Sequence, residues 1–162
     1  MIIQSDLVEK YLSLLAETPW RIAACASRLD EARLRWSPGK RGWSAVEVLA
    51  HVRACHDMWS HSIYAMLAHD NPSLPWLDER RWAEVMRYAA LGFHASFQAF
   101  VLGREELLRV LRDLPVAAWS RTARIEGYSH SVFSQAQRLA LHEIRHCDGI
   151  ESLLKLEREA GG

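Results

Sequence analysis

Apolar residues recur at three- and four-residue intervals along four long stretches of the chain, and Pro, Gly, Ser and Asp collect between them. The first stretch carries Leu7, Val8, Tyr11, Leu12, Leu14 and Leu15 on one helical face, with Ser5 placed as its N-cap. Ile22, Ala23, Cys25, Ala26 and Leu29 extend that face to about Asp30, and Pro19 either kinks this helix or restarts it. A Ser-Pro-Gly loop follows, and then the clearest helix start in the chain. Ser44 and Glu47 form a capping box, and Trp43 and Val48 are spaced as a hydrophobic staple. The second helix runs from there to about Ala68 through Leu49, Val52, Met58, Trp59, Ile63 and Met66.

Two prolines, Pro72 and Pro75, break the pattern before a third helix, predicted from near Asp78 to Leu114. Gly92 and Gly103 weaken this helix locally without ending it. Residues 115–130 read as the longest irregular segment, with at most one extended piece near residues 122–126. A fourth helix is predicted from near Ser131 to about Glu159. Four runs of roughly 25–30 residues, each about 40 Å long, predict an all-α fold: an up-down four-helix bundle forming a single domain over residues 1–162.

Composition narrows the function classes. Lys and Arg together number 20, Asp and Glu 20, so the net charge is near zero and no basic run is present to track a phosphate backbone or an anionic membrane. No window is apolar enough to span a bilayer, and the first residues lack the pattern of a secretory signal. The cysteines, Cys25, Cys55 and Cys147, are odd in number and lack CxxC spacing, which points to free thiols and a cytoplasmic location.

The histidines change the picture. His142 and His146 stand four residues apart in the fourth helix, so their imidazoles share one face a turn apart, within reach of one metal ion. His51, delivered by the capped second helix, supplies a third ligand if the second and fourth helices are neighbours. Three protein nitrogens leave a fourth position for water, the arrangement of a catalytic zinc-type site. Residues 142–146 also read HEIRH, literally the HExxH motif in which Glu143 would be the base of a metalloprotease. The context opposes that reading, since no sheet is predicted to hold a peptide and little chain remains for a downstream ligand.

Residues 42–51, GWSAVEVLAH, resemble the W-S-x-x-E-V-L-x-H signature of the DinB-like superfamily, and His142-x-x-x-His146 is similar to its second signature. The order and separation of the two motifs agree as well, so the resemblance spans nearly the whole chain. It implies a four-helix bundle, often dimeric, with a divalent metal held by His51, His142 and His146; imidazole donors suit zinc, nickel, iron or manganese alike. Characterised relatives include transferases and isomerases that depend on a low-molecular-weight thiol, and the metal site itself points to transfer or hydrolysis of a small molecule. The alternative is a metal-binding stress or interaction protein without turnover. The chain departs from many relatives one turn after the first histidine, where it carries Cys55 in place of an acid.

Other residues divide between structural and functional readings. Glu47 either completes the cap or orients His51, and the cap is favoured. Cys55 shares the His51 face and reads as a small core residue. Glu143 is expected at the edge of the site or in solvent, Arg53 and Arg145 at the surface, and Trp76 and Trp119 as rims of a pocket. His56, His61, His69, His94 and His130 receive no role.

Overall fold

Among the described residues, 5–39 and 42–160 of the chain, the computed structural model contains six helices and a small three-stranded sheet. The helices are α1 (Ser5–Ala26), α2 (Glu31–Leu34), α3 (Ala45–Ala68), α4 (Glu79–Val85), α5 (Phe93–Arg112) and α6 (Val132–Ala160). The strands are β1 (Ser73–Leu74), β2 (Thr122–Ile125) and β3 (Tyr128–Ser131). The reading of the N-terminus as free of a signal falls partly on residues 1–4, outside the described residues, as do residues 40–41 of the first loop.

The expected all-α four-helix bundle is the architecture found, built from α1, α3, α5 and α6. Its connectivity decides where the site lies. α1 packs on α5 and α6, and α3 packs on the same two, so the consecutive helices α1 and α3 take opposite corners. Tyr11 meets Gln137, and Arg21 meets Asp148 and Glu151, so α1 and α6 run in the same direction. His51 lies against His146, and Trp59 against Arg138, so α3 and α6 run in opposite directions. Arg53 reaches Ser96 and His56 reaches Arg104, which makes α3 and α5 parallel. Two helices therefore run up and two down, in the chain order up, down, down, up.

The core comes in two apolar blocks. One holds Leu15, Ile63, Met66, Leu107, Leu111 and Leu139, and the other Ile22, Leu49, Val52, Phe93, Phe100 and Ile150. Between them each long helix contributes a polar side chain: Thr18, His56, Arg104 and Glu143, all buried.

Three boundaries differ from the pattern. The first helix ends at Ala26, not near residue 30, because Asp30 leaves it to cap α2 by accepting from the Arg33 amide; Pro19 sits inside a continuous α1. The third helix is two. Arg87 adopts φ 53°, Gly92 becomes the N-cap of α5, and Glu31 accepts from the Phe93 amide at 2.9 Å. The apolar periodicity misled there because Val85 and Met86 face solvent, while the break turns Tyr88 back to donate to Asp57.

Residues 115–130 contain a hairpin, not one extended piece. Glu126 and Gly127, at φ 49° and 82°, make the two-residue turn that joins antiparallel β2 and β3. β1 adds in parallel to β2. The strand Tyr-Ser-His-Ser shows no apolar alternation, so it carried no signal. The hairpin covers one end of the bundle with Ala123 and Ile125, and Arg121 donates to the Met66 and His69 carbonyls at the end of α3.

Candidate metal centre

The helix that delivers His51 begins where its sequence says. The Ser44 side chain accepts from the Glu47 amide, and the Glu47 carboxylate accepts from the Ser44 amide at 2.8 Å. His51 follows two turns later on the face that α3 turns toward α6. Antiparallel α6 presents His142 and His146 to it. His51 Nε2 lies 3.2 Å from His142 Nε2, and His146 Nε2 lies 3.1 Å from the same atom. One ligand nitrogen from each residue falls within 4.8 Å of the others, so the trio could hold a single ion.

The fit to a metal follows from two features. Metal–nitrogen distances near 2.0–2.1 Å place tetrahedral neighbours about 3.3 Å apart, close to the separations observed. Neutral imidazoles also carry one N–H and one lone pair each, and three Nε2 atoms this close meet either lone pair to lone pair or in a frustrated donor–acceptor chain. A cation between them removes the conflict. The rings are held neutral, as ligation requires. Burial, then His146 and His51, pulls His142 down to about 4. Burial and His51 pull His146 to about 4, and burial also lowers His51. The Nδ1 atoms of His51 and His142 have no partner among the described residues, so no carboxylate or carbonyl orients these rings. Aromatic edges do so instead. Trp43 meets His51 at 5.4 Å between centroids, and Trp59 meets His142 at 5.1 Å. Trp43, expected as a helix staple, thus lies against the first histidine.

Two cavities flank the trio. One of about 500 Å³ opens on the His51 side and is lined by Trp43, Glu47, Arg80, Glu84 and Arg87 among others. The other, about 320 Å³, opens on the His142 side between Cys55, Trp59, Trp76, Glu79, Arg138 and Arg145. The Cys55 sulfur sits 3.7 Å from His51 Nε2 and 4.0 Å from His142 Nε2, and burial pushes its thiol well up. Trp76 rims a cavity as expected, whereas Trp119 is buried in the core. Arg145 lines the cavity beside His142, and Arg53 lies over the Tyr88 ring at 4.0 Å.

Glu143 departs furthest from expectation. It is fully buried, and both its oxygens accept from Arg104, one of them at 2.7 Å. Arg104 also donates to the Leu15 carbonyl at 2.9 Å and meets His56 Nδ1 at 3.1 Å. The residue after His142 turns by about 100° on a helix, and that rotation carries Glu143 into the bundle interior. A carboxylate clamped there cannot serve as the base of an HExxH site. His56, given no role from sequence, is part of the same buried layer. Nothing in its local sequence marks it, because Arg104 and Glu143 come from distant helices.

The family model of the DinB superfamily matches residues 14–149, a span that includes all three histidines. A protein of Halalkalibacterium halodurans, described as a candidate metal-dependent hydrolase, is 23% identical over 153 residues, covering 94% of this chain and 89% of its own. The solved structure of YfiT from Bacillus subtilis, described as a probable metal-dependent hydrolase with an unusual four-helix bundle topology, matches with a TM-score of 0.81. That match covers 98% of this chain and 90% of the other at 17% identity, so the likeness is one of fold.

Proposed function

This chain belongs to the DinB superfamily, and we propose that it is a metal-dependent hydrolase of small molecules whose divalent ion is held by His51, His142 and His146. The observation that carries this reading is the convergence of three neutral imidazole nitrogens, at 3.1 and 3.2 Å, between two open cavities. When bound, such an ion supplies a Lewis acid and lowers the pKa of a ligand water to about 7. The chain's own residues do the rest. α3 and α6 hold the imidazoles in register, Trp43 and Trp59 set their planes, and polar groups besides the ligands line both cavities. Open cavities with charged side chains in their lining favour an enzyme over a non-catalytic metal store, which would close an apolar lid over its ion.

A second reading rests on there being two cavities. With one on each side of the trio, two small molecules fit at once, which suits group transfer, including transfer to a low-molecular-weight thiol. Reaction in ¹⁸O-labelled water separates the two, since hydrolysis places the label in product and transfer does not.

Elemental analysis of the purified protein tests the common core of both readings. About one equivalent of divalent metal is expected in the wild type, and less than a tenth of that in His51→Ala, His142→Ala and His146→Ala. Full metal content in all three variants would sink the proposal. The same measurement names the ion among zinc, nickel, iron and manganese.

A further inference from the structure

The cavity beside His142 carries a recognition element that the metal reading leaves unused. Arg138 stands one turn before His142 on α6, about 6 Å along the helix from it. Its guanidinium lies over two indoles from different elements, 5.2 Å from the Trp59 ring and 5.6 Å from the Trp76 ring. Two aromatic faces fix the plane of a guanidinium while leaving its N–H edges free. Among the described residues Arg138 takes part in none of the hydrogen bonds or ion pairs, whereas Arg21, Arg33, Arg104 and Arg121 all spend their donors on carboxylates. Arg145 and Glu79 are the other charged groups lining this cavity, which leaves it with an excess of one positive charge. A narrow crevice lined by Gln135 and Arg138 continues beneath Trp76; at about 20 Å³ it holds no more than one water, a donor for the Gln135 side-chain oxygen, which has no partner among the described residues.

We propose that Arg138 is a specificity-determining residue that anchors an oxyanion of the substrate, a carboxylate or a phosphate monoester, on a small molecule with a flat apolar body. The anionic group pairs with the free edge of the guanidinium, and the apolar body lies along Trp59 and Trp76. The bond to be cleaved then reaches the three histidines one helical turn away. This last placement rests on the metal reading; the anion contact does not.

Binding of four probes to the purified full chain tests the assignment: benzoate, phenyl phosphate, the neutral benzyl alcohol and the cationic benzylamine. Quenching of tryptophan fluorescence, checked by calorimetry, reads the affinity, and metal content is measured on the same samples. Expected are at least tenfold tighter binding of the two anions than of the alcohol, and a loss of tenfold or more in Arg138→Gln. Arg138→Lys should recover part of that loss, and Arg112→Gln, exposed in the last turn of α5, should bind the anions as wild type does. Circular dichroism and metal content equal to wild type in Arg138→Gln exclude a folding defect as the cause. The assignment is overturned if the wild type binds no anion at millimolar concentration, if it binds alcohol and anions alike, or if Arg138→Gln binds the anions as wild type does. Anion binding that depends on Arg138 in protein without metal would keep this inference and defeat the hydrolase reading.

Discussion

At the level of single residues, the buried layer of Thr18, His56, Arg104 and Glu143 is as telling as the three histidines. Arg104 and Glu143 are both essentially removed from solvent, so deleting one partner strands a charge. Arg104→Met should therefore destabilise the fold by about 3–5 kcal/mol in chemical denaturation, and adding Glu143→Leu should restore much of it. Recovery of stability by the double variant is the decisive outcome, since a simple packing defect would grow with the second change. Gly103 belongs to this layer too. A Cβ there would lie 2.8 Å from His56 Nε2, so Gly103→Ala is expected to cost about 1–3 kcal/mol by overpacking. The histidines set a pH dependence with a definite sign. His142 and His146 sit near 4 and His56 near 3 in the fold, against about 6.5 in the unfolded chain. Between those values the unfolded chain binds protons that the native state refuses, so stability is full above about 6.5 and falls as pH drops toward 4. Thermal melts of metal-free protein across that window should show the decline, which a flat profile would contradict.

At the level of elements, α3 connects a local signal to the site. Its cap sets where the helix begins and hence which way His51 points seven residues later. Ser44→Ala should cost about 1 kcal/mol and also weaken metal retention in a chelator competition, although Ser44 touches none of the three histidines. Loss of stability with unchanged retention would show that the cap anchors the helix without aiming the ligand. The capping box was legible because all its parts lie within four residues. The hairpin β2–β3 was not, since its second strand is polar and short and its register comes from the Glu126–Gly127 turn. The split of the third helix was hidden for a related reason. Its break is stabilised by Glu31, more than sixty residues earlier in the chain, and by the Tyr88–Asp57 contact.

For the whole molecule, the chain order up, down, down, up places α1 and α3 at opposite corners and makes α3 and α6 antiparallel neighbours. The three histidines then come from two helices far apart in the chain, so a metal bound as proposed would stabilise the fold by mass action. Chelation should lower the melting temperature of the wild type and leave that of His142→Ala nearly unchanged, as scanning calorimetry would show. No described helix is long and apolar enough to cross a membrane.

The sequence by itself determined four apolar helical faces, the capped start of α3, and the His142–His146 pair on one face of α6, because each depends on spacing within a few turns of one helix. Tertiary structure alone decided that His51 meets that pair, that Glu143 turns inward to Arg104, that His56 joins them, and that Arg138, unpaired among the described residues, stands between two indoles beside His142. Those are pairings between distant segments, fixed by which helices become neighbours, and local periodicity carries no information about that choice.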